Sequence, residues 1–146
     1  MSLNVKFVQD YNEFMKKVWM NAIIEASLFY PAALLHCPIS YLIRKKEARE
    51  LVEFIINEGE KVARILQYDI HNIFRDILEM GISAKDYFSP VNNLWEVGIK
   101  SEVDFFNGYI YEIGKQFNVN AAFNAAIWYL IKIHESTMGF RYHRGS

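Results

Sequence analysis

The sequence predicts an all-α fold built as a single helical domain. Three observations carry that reading. Apolar residues recur at helical spacing through most of the chain. Strand-like alternation bounded by turn signals is hard to find. The interruptions fall at Pro, Gly, Asn and Ser, residues that stop or cap helices. With 146 residues, 52% of them hydrophobic and 16% aromatic, the chain is long and apolar enough for one dense core.

Taken in order, a first helix is expected over 11–29, and Pro31 and Pro38 bracket a short second piece. A long helix over 40–68 places Leu51, Ile55, Val62 and Leu66 at core spacing, with Gly59 a possible interruption. A helix over 70–79 stops at Met80-Gly81, and "SAKDYF" reads as a single turn opened by Ser83. Ser89-Pro90 is a start signal: a hydroxyl cap, then proline at the first helical position. Ser101 is expected to cap a helix over 101–117 that Asn118 ends. Asn120 is expected to cap the last helix, over 121–135, ahead of an irregular tail.

Sixteen basic and seventeen acidic residues give a net charge of −1, with no basic patch to suggest nucleic acid or an anionic membrane as partner. Cys37 stands alone, so no intrachain disulfide is expected and a reducing, cytoplasmic setting follows. The greasiest stretch, "NAIIEASLFYPAALLHCPISYLI", is interrupted by Glu25, Pro31 and Pro38, which argues against a membrane span. "MSL" and the final "GS" read as cloning remnants, leaving 4–144 as the domain. His36, His71, His134 and His143 lack ligand spacing, so no metal is expected. Cys37 reads as a buried thiol.

Two places carry polar groups where the wheel is otherwise apolar. On the first helix, Met15, Val18, Trp19, Ala22, Ala26 and Phe29 share one face. Lys17, Asn21 and Glu25, each four apart, form a line beside it, and Lys16 and Ser27 form a second polar line that could meet water. The Lys17 line is either a solvent strip with a Lys17–Glu25 or Asn21-mediated surface contact, or it presents Lys17 to a cleft with Asn21 beside it. In "SEVDFFNG", Val103 and Phe106 start an apolar stripe that continues through Ile110, Ile113 and Phe117, with Glu102 at its edge. Asp104 points away and fits the first-turn dipole. Glu102 either bends to water or meets a partner. A Lys17–Glu102 pair across a hollow would hold a lysine charged beside a substrate carbonyl, as proton transfer to a forming alkoxide requires.

The segment "SEVDFFNGYIYEIGKQFNVNAAFNAAIWYLIKIHE" resembles the C-terminal helical domain of ketopantoate reductases (2-dehydropantoate 2-reductases). That family carries T-E-I-D-x-x-N-G and then G-V-x-T-P-x-N-x-A-L-Y-x-L-V-K-x-x-E. Glu102, Asp104, Asn107, Gly108, Val119, Asn124, Ala126, Leu130, Lys132 and Glu135 stand at the matching places. "MKKVWMN" is similar to the family's W-x-K-L-x-x-N, and "KVARILQYDI" to its A-V-A-R-A-x-G-V. The likeness spans most of 10–135.

The resemblance implies a domain of the 6-phosphogluconate dehydrogenase C-terminal type. It implies NADPH-dependent reduction of 2-dehydropantoate to pantoate, on the route to pantothenate and coenzyme A. Lys17 would be the general acid, Asn21 and Glu102 would contact or orient substrate, and Ser89 would help bind its carboxylate. Aligned on Glu102, the family's serine position falls on Pro90, one residue after Ser89. Met15 replaces the tryptophan before the lysine, and Asn118, Asn120 and Ala122 replace the glycine and prolines before the last helix. The implied partners are an N-terminal Rossmann domain, a small 2-oxo acid and a second copy in a homodimer.

This chain has no G-x-G-x-x-G turn. NADPH is therefore expected on the full-length protein and not on this chain alone, which should be inactive by itself. The alternative is a non-catalytic helical dimerisation or interaction module on the same fold.

Overall fold

A computed structural model describes residues 3–84 and 86–139, and every regular element in them is helical. Helix α1, Leu3–Leu35, is the spine. It starts well before the expected residue 11 and runs through Pro31, which was expected to end it. Proline inside a helix removes a hydrogen bond and costs about 3 kcal/mol. Here the flanking residues Leu28, Tyr30, Ala32 and Ala33 are buried, and their packing outweighs the defect. Ser27 is also buried, and its Oγ donates to the Ile24 carbonyl at 3.1 Å. The expected water-facing Lys16–Ser27 line therefore does not form.

By length and composition, Asn4–Leu35 is apolar enough to cross a membrane, so Glu25 and Pro31 do not exclude that as expected. The apolarity has a local use: Ile23, Ala26 and Leu28 are fully buried in the core.

The expected helix over 40–68 is two helices. α2, Ile39–Arg44, and α3, Lys46–Ile65, are parted at Lys45, whose ψ of 125° is extended. The break lets Ile39 and Leu42 bury with Val52 and Ile55, which one straight rod would not allow. Gly59 does not interrupt α3. It lies where α3 meets α1, and a Cβ there would come within 2.8 Å of Ile23 Cγ1.

α4, Ile73–Glu79, ends as expected at Met80 and Gly81, whose φ of +71° suits glycine. The turn expected from Ser83 spans Ile82–Ala84, starting one residue earlier. α5, Pro90–Glu96, opens at Ser89 as predicted. The helix expected over 101–117 is instead a 3-10 turn, Val103–Phe105, followed by α6, Asn107–Gln116. Asn118 takes φ +58° just after α6, and Asn120 Oδ1 accepts from the Ala122 amide at 3.1 Å at the start of α7, Ala122–Thr137. The irregular tail expected over 136–144 begins two residues later, since α7 runs to Thr137; its part from residue 140 onward, His143 included, lies outside the described residues.

A buried polar chain ties α1, α3, α6 and α7 together. Asn107 Nδ2 donates to the Ala26 carbonyl at 3.1 Å and to Asn124 Oδ1 at 3.0 Å. Asn124 Nδ2 donates to Glu58 Oε2 at 2.7 Å. Glu58 also accepts the Phe123 and Asn124 amides, both at 2.9 Å, and so caps α7 from α3. Buried carboxylates persist only with such partners. Buried Glu135 accepts from the Ser101 amide at 3.0 Å, from Ser101 Oγ and from Trp95 Nε1. It thereby pins the loop that presents Glu102.

Candidate functional site

The cavity of interest lies between α1, α5 and the Lys100–Phe106 segment, with a volume of about 450 Å³. Its polar lining is Glu25, Lys100 and Glu102. Its apolar wall is Phe29, Tyr30, Pro90, Val91, Leu94 and Phe106. α1 supplies Glu25 and, a turn further on, Phe29, through their four-residue spacing. The Ser89 cap sets the start of α5 and so places Val91 and Leu94. Glu135 and Asn107 fix the segment on either side of Glu102.

Burial, and then the charge of Glu102, push the Glu25 carboxyl above its ordinary range. Glu25 and Glu102 thus act on each other across the cavity as like charges. Tyr30 is buried beside them. Burial first, then Glu25, Glu102 and more distant acids, raise its hydroxyl well above the usual phenol range, which keeps it a neutral donor.

Lys17 lies elsewhere. It lines a second groove with Met20, Asp69, Ile70 and His71. Glu25 is eight residues further along α1, about 12 Å up the axis. Glu102 precedes the 3-10 turn and faces the level of Glu25, not of Lys17. The shared hollow expected for Lys17 and Glu102 is therefore not formed by the described residues. Asn21 is exposed midway, four residues from both Lys17 and Glu25, so the polar line of α1 does run from one groove to the other.

Ser89 does not present its hydroxyl to the cavity. It is fully buried, and its Oγ accepts from the Val91 amide at 3.1 Å as a helix cap. The expected carboxylate contact is thus replaced by a structural role, because the same hydroxyl satisfies an orphan amide of α5. Asp104 is not a dipole residue either. It accepts from Trp128 Nε1 at 2.7 Å and pairs with Lys132 at 3.2 Å, joining the 3-10 turn to α7. Cys37 is half-buried, and burial raises its thiol, which keeps it protonated. No group of three metal-ligating side chains occurs among the described residues.

Sequence reasoning placed Glu25 on the polar line and offered it only a surface contact with Lys17, whereas it lines the cavity. It missed Tyr30 and Lys100 at the cavity, and the buried acids Glu58, Glu60 and Glu135. The four-residue step from Asn21 was the available signal for Glu25. The buried acids sit in sequence among ordinary surface charges, and only tertiary packing distinguishes them.

An all-helical domain with an acid-lined cavity against its longest helix is the class that the fold and site define. The family model described as "Ketopantoate reductase PanE/ApbA C terminal" matches residues 13–135. The chain belongs to the ketopantoate reductase family, to its C-terminal domain. It is 28% identical over 126 residues to the 2-dehydropantoate 2-reductase of Pyrococcus abyssi, covering 84% of this chain and 41% of that protein. It is 27% identical over 127 residues to the corresponding protein of Archaeoglobus fulgidus, covering 86% and 42%. The chain therefore spans about two fifths of those relatives.

Solved structures share the fold. D-mandelate dehydrogenase with NADH and anilino(oxo)acetate superposes with a TM-score of 0.77 at 18% identity, over 87% of this chain and 42% of that one. A ketopantoate reductase from Ralstonia eutropha JMP134 superposes at 0.76 and 19% identity, over 83% and 41%.

Proposed function

We propose that this chain is the substrate-binding and catalytic half of an NADPH-dependent reductase of a 2-oxo acid, with 2-dehydropantoate as the reference substrate. The single observation that carries the proposal is the acid-lined cavity of Glu25 and Glu102 against α1, in a chain of this family. The nicotinamide cofactor would supply the hydride, from a Rossmann domain that this chain does not contain. The residues here would hold the 2-oxo acid and provide the proton.

Lys17 is the proton donor in this reading. It is exposed and makes no ion pair among the described residues, so its ammonium is available to a carbonyl bound over the α1 polar line. Asn21 bridges the two grooves and would orient the substrate, with Glu102 at the far end. Closure of a dinucleotide-binding domain over α1 would join the two grooves into one site and exclude water.

A partner surface fits the same reading. Phe7, Tyr11 and Phe14 lie at helical spacing on α1, exposed by 71%, 51% and 62%, more apolar surface than a free helix face usually shows. The Rossmann domain or a second copy in a homodimer would cover it. A cytoplasmic location accords with reductive chemistry that uses NADPH.

The test is consumption of NADPH by a polypeptide carrying this domain joined to its dinucleotide-binding half, with 2-dehydropantoate and other 2-oxo acids. Turnover supports the proposal. Cofactor binding without turnover on any 2-oxo acid would support a non-catalytic module instead.

A further inference from the structure

We propose that His71 is a positioning residue for the Lys17 groove and that a second proton on its ring releases it. The role in turnover rests on the reductase reading; the state of the ring does not.

The first observation is the tautomer that the neighbours impose. Arg64 Nη1 lies 3.3 Å from His71 Nδ1, and Asp69 Oδ1 meets His71 Nε2. A guanidinium only donates, so Nδ1 is the bare nitrogen. An ionised carboxylate only accepts, so Nε2 carries the hydrogen. A neutral ring satisfies both contacts together.

The second is what the ring joins. Residues 66–72 connect α3 to α4, and Asp69, Ile70 and His71 line the groove with Glu13, Lys16, Lys17 and Met20 of α1. Arg64, in the last turn of α3, donates to the Ile70 carbonyl at 2.9 Å and lies 3.7 Å from Glu60. Glu60 accepts the Ile73 amide at 2.9 Å, at the start of α4. Asp69 joins this chain through His71 and has no other side-chain partner among the described residues. Gln67 and Asn72, at φ +68° and +62°, bracket the connection in left-handed backbone that its surroundings must hold.

The third is charge. The charged groups around His71 are Arg64 and, behind it, Glu60 on α3, Asp69 in the loop, and Glu13, Lys16 and Lys17 on α1. No charged side chain of α4 lines the groove, and Glu13 is taken by Lys16 at 3.1 Å. A second proton must enter at Nδ1. It turns the acceptor of Arg64 into a donor and sets two like charges in contact. Arg64 stays with the Ile70 carbonyl and Glu60, so His71 swings away with Asp69 and the groove loses that wall. Acid does not disarm the Lys17 ammonium, so a loss of turnover on the acid side marks His71 and not the proton donor.

The test follows the ring nitrogens of His71 and the backbone amides of this chain by NMR as pH falls. At the alkaline end His71 should be neutral, with its hydrogen on Nε2. As the ring takes its second proton, the amides of Asp69, Ile70 and Lys17 should shift with the same midpoint. His71→Gln, whose amide accepts and donates but does not titrate, should keep the groove and abolish that shift. His71→Ala should lose the groove at every pH. In the joined protein, kcat/KM for 2-dehydropantoate should fall roughly threefold or more over the same pH interval, the scale of one surface charge pair. The fall should be absent in His71→Gln.

A hydrogen on Nδ1 of the neutral ring overturns the proposal, as does a ring that gains its proton while the groove amides stay still. An acid loss of turnover that survives His71→Gln overturns it too. Coupled shifts in this chain, with no NADPH turnover by the joined protein, uphold the switch and remove the reductase reading.

Discussion

Asn107 donates a 3.0 Å hydrogen bond to Asn124 inside the seam between α6 and α7, and both side chains are fully buried. The pair links the α1 carbonyl of Ala26 to the Glu58 carboxylate that caps α7. Asn107 and Asn124, which match the family pattern, therefore hold the scaffold together and do not line the cavity. Asn124→Ala removes three side-chain hydrogen bonds, one of them to a charged group. It should cost about 3.5–5 kcal/mol, since neutral bonds contribute about 1 kcal/mol and charged ones about 1.5–3. Urea unfolding, with Asn107→Ala and the double variant, should show the two losses to be non-additive.

Glu25 gives the protein a pH signature. Its folded carboxyl titrates above the ordinary value of 4.5, because burial and Glu102 disfavour its charge. Between those two values the folded state holds a proton that the unfolded state has lost. Its contribution to stability is thus fully present below the ordinary value and is lost as pH rises through the raised one. Glu25→Gln should abolish that decline. Melting temperatures of the two proteins should converge at low pH and separate above it, with the variant the more stable.

Gly59 marks the contact of α3 with α1. Alanine normally favours a helix over glycine by up to about 1 kcal/mol. Here its Cβ would press within 2.8 Å of Ile23, which is fully buried. Overpacking of about 1–3 kcal/mol should outweigh the gain, so Gly59→Ala should lower the melting temperature. A melting temperature raised by the substitution would show that Ile23 repacks.

Ser89 separates the structural role from the binding role. If its hydroxyl serves as the α5 cap, Ser89→Ala should cost about 1 kcal/mol of stability, as lost caps do. The KM for a 2-oxo acid should change little in the joined protein. A large rise in KM with unchanged stability would restore the serine to the substrate.

Much of the fold is legible in the sequence where a local signal agrees with packing. Ser89-Pro90, Met80-Gly81, Asn118 and Asn120 all stop or start helices where their chemistry says they should. The errors arise where tertiary burial overrides a local rule. Pro31 sits inside α1 because its neighbours are core residues. Lys45 breaks a helix that its own sequence favours. Gly59 is a packing device and not a hinge.

The site was half legible. The α1 polar line and Glu102 were visible as polar groups among apolar ones. Their pairing was not, because periodicity gives the face of a helix and not the height at which another segment meets it. Glu102 therefore meets Glu25, two turns beyond Lys17.

The central claim is that Lys17 supplies the proton to a bound 2-oxo acid. The measurement that tests it most directly is NADPH oxidation by the joined protein carrying Lys17→Ala. Because Lys17 is exposed and makes no ion pair among the described residues, the variant should fold with a stability within about 0.5 kcal/mol of the parent. Its kcat should fall about 10²–10⁴-fold, the usual contribution of a positioned acid. Unchanged turnover in a variant that folds normally would contradict the assignment.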